Sequence, residues 1–537
     1  MKTCLIAALI PLFFACSSDK KPAQTPARPN IIILLADDLG YADLGCFGSD
    51  IATPNIDRLA ASGLVFTRFH TAATCAPTRA MLLSGNDNHI AGMGSQFRKT
   101  GEWGYEGHLT DRVATIPQLL RANGYHTYMA GKWHLGPAPE HNPHSKGFEQ
   151  SFVLLPGAGN HYDNKSVLGG TVSRYTENGE PADWPQGAYS TQCYTDKLIE
   201  YIGRNKDDGK PFFAYAAFTS PHWPLQVDSA YWTKYKGRYD SGYEALRREN
   251  LRRLQQAGMV QKEAVLPPLH PDIAPWDSLT ADQQRTEARK MELYAGMVDN
   301  LDHNIGRLID YLKEIGEYDN TLIVFMSDNG AAGEDFFYKG QFAEYAQANF
   351  NNDYDNIGKP NSYVSYGPQW AEAGSAPFRY YKGYTTEGGV TAPMIITGLG
   401  LTRPHALVDQ FASLLDLAPT FYELAGVSYP DTLPYPLKGR SLAPFLAGSS
   451  EVIHPESDVY TFEQSGHLVI RQGNWKLVNE GYPLDTARFR LFNLTDDLGE
   501  TVDLPDRYPE KRAEMLRLWA TYRAECRILD GEPGDLD

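Results

Sequence analysis

Residues 30–36 form an uncharged run, Asn-Ile-Ile-Ile-Leu-Leu-Ala, with no alternation of polar and apolar positions. Such a run fits a strand buried on both faces, as in a parallel sheet. Residues 65–71, 126–130, 211–218, 321–326 and 393–397 read as further strands. Helical patterns lie between them. One starts at Thr53-Pro54, a short amphipathic one covers 116–122, and a longer one covers 189–204. Residues 281–316 predict the longest helix. Met291, Tyr294, Ala295, Val298, Leu301, Ile305, Leu308 and Leu312 form one apolar stripe at helical spacing there. Residues 408–426 predict another helix, with Asp416 and Pro419 inside it.

Strands alternating with helices predict an α/β fold, a large mixed and mostly parallel sheet sandwiched by helices. After about Pro434 the pattern changes. Residues 458–463, 467–471, 475–479 and 489–494 read as short strands joined by turns, and 509–526 as a closing helix. That predicts a smaller subdomain, an antiparallel sheet plus helix. The expected division is a catalytic domain over 30–435 and a C-terminal subdomain over 436–537. Residues 137–184 and 336–376 read as long functional loops, and 228–282 as a polar insert outside the sheet.

The N-terminus reads as processing. Lys2 precedes a short apolar run that ends Phe-Phe-Ala-Cys16-Ser-Ser. A small residue before Cys resembles a bacterial lipoprotein cleavage and acylation site, so residues 1–15 are expected to be a signal peptide. A plain signal peptide cut near Ala15 is the alternative, and either exports the chain. Residues 16–29 are polar and Pro-rich, which suits a tether. The expected location is the periplasm or the outer-membrane surface, with the membrane reached through a lipid anchor only. The net charge of -17 argues against a nucleic-acid partner. Six scattered cysteines in 537 residues do not make a disulfide scaffold.

Polar groups gather where the apolar runs end. Asp37-Asp38 follows the first strand and Ser327-Asp328-Asn329-Gly330 follows the strand at 321–326. Open α/β sheets place their sites at such carboxyl ends, although a helix cap or solvated turn also fits an Asp pair. Gly131-Lys132-Trp133-His134 follows another strand, and Lys132 and His134 would share a face in extended chain. His222 lies just past the strand at 211–218. His161 and Asp163 read either as substrate contacts or as ordinary loop polars. Cys75-Ala76-Pro77-Thr78-Arg79 opens a short helix closed by Gly85. Cys75 would then sit at a helix N-terminus, with Arg79 returning over the same face. Taken alone, the pentapeptide fits a buried free cysteine before an ordinary helix better.

Together these motifs, with Pro221-His222, Phe378-Arg379, Lys382 and Glu387-Gly388-Gly389, resemble the formylglycine-dependent sulfatases. The resemblance is to their bacterial arylsulfatase branch, within the alkaline-phosphatase superfamily, and covers about residues 29–526. One departure is Thr391, which stands where the family usually has an arginine.

The resemblance implies a sulfuric ester hydrolase cleaving the S–O bond of sulfate monoesters. Cys75 would be oxidised to formylglycine (3-oxoalanine) by a maturation enzyme, and the hydrated aldehyde would be the nucleophile. Arg79, Lys132 and Lys382 would neutralise sulfate oxygens. His134 would assist collapse of the diol, and His222 would protonate or position the leaving oxygen. Asp37, Asp38, Asp328 and Asn329, beside residue 75, would hold a metal. Oxygen donors select a hard cation, and the resemblance favours Ca²⁺ over Mg²⁺. The expected substrates are sulfated glycans such as mucin or glycosaminoglycan fragments, attacked from their ends, with aryl sulfates also cleaved. The rival readings are a phosphate or phosphonate monoester hydrolase of the same superfamily, and an inactive lipid-anchored glycan-binding protein.

Overall fold

The computed structural model describes residues 28–96, 100–399, 401 and 404–530. The expected signal peptide, Cys16 and nearly all of the tether lie outside them. Strands are β1 (Asn30–Ala36), β2 (Leu64–His70), β3 (His126–Lys132), β4 (Gln150–Leu154), β5 (Tyr175–Glu177) and β6 (Glu180–Ala182). Then come β7 (Phe212–Ala217), β8 (Thr321–Ser327), β9 (Thr391–Thr397), β10 (Ala406–Val408) and β11 (Ala412–Ser413). Among the described residues these make one eleven-stranded sheet, ordered β10-β2-β9-β8-β1-β7-β3-β4-β5-β6, with β11 also on β2.

The centre of this sheet, β8-β1-β7-β3-β4, is all parallel. Ile33 of β1 pairs with Tyr215 on one side and Val324 on the other. Both faces of β1 are covered. Ile31, Ile33 and Leu35 join one apolar cluster, while Ile32, Leu34 and Ala36 join another. The unbroken apolar run is therefore what a strand between two helical layers requires. The long helix Ala281–Glu314 caps the Ile32 face with the expected stripe, and Met291 to Leu312 of that stripe are buried.

Four more strands, β12 (Val459–Gln464), β13 (His467–Gln472), β14 (Trp475–Glu480) and β15 (Arg490–Asn493), form an antiparallel sheet. The helix Pro509–Cys526 follows it. Phe462, Leu468, Ile470 and Met515 belong to the same apolar cluster as Ile31 and Ile33, so the small sheet extends the core rather than founding a separate one.

Three expectations need correction. The 408–426 helix is shorter, because β10 and β11 pair with β2 first. The helix proper, Leu417–Ala425, begins after a turn in which Ser413 and Asp416 form a capping box, and Pro419 sits harmlessly near its start. The 137–184 segment is no mere loop, since β4, β5 and β6 extend the sheet there. The 336–376 segment holds the helices Ala343–Asn349 and Gly367–Gly374.

β3 also runs two residues further than expected, through Gly131 to Lys132. Gly131 has φ +120, and a Cβ there would lie 1.8 Å from the Ala217 carbonyl oxygen of β7. Only glycine allows that approach.

Candidate active site

Because β1, β3, β7 and β8 are parallel, their carboxyl ends share one edge of the sheet. Asp37 and Asp38, Lys132, His222, Asp328 and Asn329 are delivered there. β2 runs the same way and leads into the helix Cys75–Ser84, which starts at Cys75 and closes on left-handed Gly85 as expected. β9 is antiparallel to β8, so the segment before its start, with Lys382, reaches the same edge. Backbone hydrogen bonds join these loops: Asp37 to Ser220, Asp328 to Ala36, Lys382 to Ala331 and Gly383 to Ala73, at 2.8–3.1 Å. Nine of the ten residues expected from the sequence are buried here, and His134 is partly buried.

Asp38 is the hub. Its Oδ1 accepts from Asn329 Nδ2 at 2.7 Å and lies 3.8 Å from Cys75 Sγ. Its Oδ2 accepts from Lys382 Nζ at 2.9 Å and lies 3.4 Å from His222 Nε2. Lys132 Nζ donates to both Asp37 oxygens at 2.9 Å. Arg79 Nη2 lies 2.8 Å from Asp328 Oδ2 and 3.4 Å from Asp37 Oδ1, while Nη1 donates to the Lys132 carbonyl. Asp38 and His134 are non-glycine residues with φ of 68 and 60. Left-handed backbone at such residues is uncommon and gathers at functional sites.

Burial and charge pull these groups apart. Burial alone would raise the Asp37 carboxyl, but Lys132, His222, Arg79 and Lys382 hold it well below the usual carboxylate range. Burial pushes Asp38 up to about 7 against the pull of Lys382. It raises Asp328 too, with Asp37 adding to the shift. Burial drives the imidazoles of His134 and His222 well down, and Lys132 adds to both shifts, so both rest neutral. His222 Nδ1 faces the Trp223 carbonyl at 2.6 Å, which places its proton there and leaves Nε2 as an acceptor. Burial raises the Cys75 thiol well above its ordinary value, so the unmodified side chain is a poor nucleophile.

The donor set fits a hard cation. Asp37, Asp38, Cys75 and His222 each bring a ligand-type atom within 4.8 Å of one another. Asn329 Oδ1 is buried with no hydrogen-bond partner, and three carboxylates crowd beside it. An oxygen cradle with an orphaned acceptor suits Ca²⁺ or Mg²⁺. A cavity of about 810 Å³ lies elsewhere, lined by Arg68, Asp416, Arg440, His454 and Arg471. None of the ten residues lines it.

Sequence reasoning missed Glu334, whose Oε1 lies 3.2 Å from Lys382 Nζ. It sits in an aperiodic loop and its partner is remote in the chain, so no pattern flagged it. Thr78 was quoted only within its motif, yet its hydroxyl donates to the Asp328 carbonyl at 2.6 Å and ties helix to strand end. His161 is a support. It is buried, with Nδ1 on Ser190 Oγ and Nε2 3.2 Å from the His222 carbonyl. Asp163 accepts from the Lys165 amide in its own loop. Arg379 turns away to Glu480, and Glu387 to His70 and Lys476.

The family model described as Sulfatase matches residues 29–427. An uncharacterized sulfatase of Schizosaccharomyces pombe is 40% identical over 530 residues, 94% of each chain. The arylsulfatase of Klebsiella aerogenes is 39% identical over 413 residues, 75% of this chain and 88% of that one. The crystal structure of Ps i-CgsB in complex with k-i-k-neocarrahexaose superposes with a TM-score of 0.67, at 26% identity and 92% coverage of each chain. The chain belongs to the sulfatase family, whose members hydrolyse sulfate esters.

Proposed function

We propose that this sulfatase is an exported, lipid-anchored enzyme that removes terminal sulfate groups from glycans. In this reading residue 75 carries formylglycine made by a maturation enzyme, and Ca²⁺ sits on Asp37, Asp38, Asp328 and Asn329. The observation that carries it is the convergence of residue 75 with three buried cations and an all-oxygen donor set. A thiol attacking sulfur would leave an adduct with no easy exit. A hydrated aldehyde supplies two hydroxyls, one to attack and one to expel sulfate. The cation supplies positive charge for a sulfate oxygen and favours the ionised nucleophile.

The chain's own residues do the rest. Arg79, Lys132 and Lys382 balance charge on the sulfate oxygens within a water-poor site. Their carboxylate partners hold them in place before substrate arrives. His134 Nδ1 is buried without a partner, which leaves the ring free to take a proton from the second hydroxyl. His222 must first gain a proton at Nε2 before it can give one to the leaving oxygen. The saccharide carried by Ps i-CgsB supports a glycan substrate. So do the aromatic rings beside the cluster, where Trp223 meets His222 at a tilt and Phe336 edge to face.

The mass of the tryptic peptide containing residue 75, from protein coexpressed with a maturation enzyme, tests the nucleophile. Formylglycine is expected, and an intact thiol in active protein refutes it. A panel of sulfated mono- and disaccharides tests the substrate class. No turnover on any of them, beside brisk aryl sulfate cleavage, would remove the glycan reading.

A further inference from the structure

Among the described residues, Glu334 is the one acidic side chain at the cluster that belongs to neither the oxygen cradle nor a strand end. Its Oε1 is 3.2 Å from Lys382 Nζ, and its side chain is 24% exposed while that of Lys382 is 2% exposed. It therefore stands at the rim, outside the lysine. Its Oε2 is buried without a partner. Gly333 beside it packs against the Tyr381 ring, and Lys382 is bonded through its backbone to Ala331, so both ends of the pair are fixed.

Apart from the proposed cation, the side-chain charges at the cluster otherwise match in number. Asp37, Asp38 and Asp328 face Arg79, Lys132 and Lys382. Glu334 adds one negative charge next to the lysine that an incoming anion must use. Like charges in a site shielded from water repel strongly, and the cost grows with the charge on the ligand. A sulfate monoester carries one negative charge. An aryl phosphate above its second pKa of about 6 carries two. Hydrolysis itself converts R–O–SO₃⁻ and water into R–OH, SO₄²⁻ and H⁺, so the product also carries one more charge than the substrate.

We infer that Glu334 is a charge-selectivity residue, which admits monoanionic esters, disfavours dianionic ones and hastens release of inorganic sulfate. This deepens the proposed reading and rests on the sulfate lying against Lys382. It assigns Glu334 no proton transfer and no ligand role toward the cation.

The test compares wild type with Glu334→Gln, Glu334→Ala and Glu334→Asp at about pH 8, where the phosphate ester is doubly charged. Matched aryl sulfate, aryl phosphate and aryl phosphonate monoester are the substrates. Neutralising Glu334 is expected to raise the phosphate-to-sulfate ratio of kcat/KM about tenfold, with the singly charged phosphonate following sulfate. Calorimetric titration with inorganic sulfate is expected to show about tenfold tighter binding to the neutral variants. Glu334→Asp keeps the wild-type ratios. The two neutral variants guard against one misfolding, as judged by thermal melting. Ratios within about twofold of wild type overturn the inference. Equal losses on all three esters also overturn it, because they make Glu334 a mere support for Lys382. Failure of the underlying reading looks different: Lys382→Met would leave aryl sulfate turnover near wild type.

Discussion

Two buried ion clusters lie on neighbouring parts of the described residues, and the proposed chemistry belongs to only one. The first gathers Asp37, Asp38, Asp328, Arg79, Lys132 and Lys382 at the strand ends. The second joins the two sheets. Glu387 accepts from Lys476 at 2.6 Å and lies 2.9 Å from His70, while Lys476 also pairs with Glu500 at 2.9 Å. Arg471 reaches His70 at 3.1 Å. Burial pushes Glu500 up to about 7, the same value as Asp38, and lowers His70 to about 4. A shifted carboxyl is thus no mark of catalysis by itself. The difference is what the groups face. In the second cluster both carboxylates meet the one cation Lys476, and Glu387 does so across the sheet junction. The first surrounds residue 75 and an amide oxygen that nothing satisfies.

The sharpest break comes from Cys75→Ala. Aryl sulfate turnover is expected to fall by about 10⁴-fold or more, with folding retained by circular dichroism. Chelation is next. Dialysis against a chelator is expected to lower kcat/KM about 100-fold and depress the melting temperature, and added Ca²⁺ should restore both. Lys132→Met and Lys476→Met then separate the clusters directly. The first is expected to lower kcat/KM by about 10²–10³-fold. The second leaves Glu387 and Glu500 without their shared cation and should destabilise by about 3–5 kcal/mol in denaturant unfolding. Its folded fraction should keep activity within about tenfold. A catalytic collapse in Lys476→Met would erase the distinction.

The smallest effect is a pH slope. Glu500 titrates near 7 when folded, against 4.5 ordinarily. Between those values the native chain holds a proton the unfolded chain has lost. The stability from this group is therefore complete below about 4.5 and disappears as pH rises through about 7. The shift corresponds to about 3 kcal/mol. Its neighbour Glu387 is held well below its usual range, chiefly by His70 and Lys476 against burial, and works with the opposite sign. Glu500→Gln should flatten the loss of stability between about pH 5 and 7, measured by denaturant unfolding, and leave sulfate release unaltered.

The strand ends were readable because burial on both faces forces an unbroken apolar run. A polar pair straight after such a run stands out, as at Asp37-Asp38 and Asp328-Asn329. The parallel centre of the sheet then does the gathering. The short edge strands β5 and β6 gave no signal, since three residues cannot show a period. β11 and the last residue of β10 fall within the expected helix because an apolar stretch there suits either form, and only their pairing with β2 decides it. Glu334 escaped for another reason. Its meaning comes wholly from Lys382, which the fold, not the local pattern, sets beside it. The same holds in reverse for Glu387 and Arg379. They stood among the motif residues, yet they serve the junction between the sheets.

Gly131 shows how finely the working edge is machined. Because a hydrogen atom stands where any other residue would carry carbon, β3 can press against the carbonyl of Ala217. One residue later comes Lys132, and one residue past Ala217 the chain starts its turn toward His222. The gap between the arms bearing those two side chains is thus gauged by a single missing methyl group.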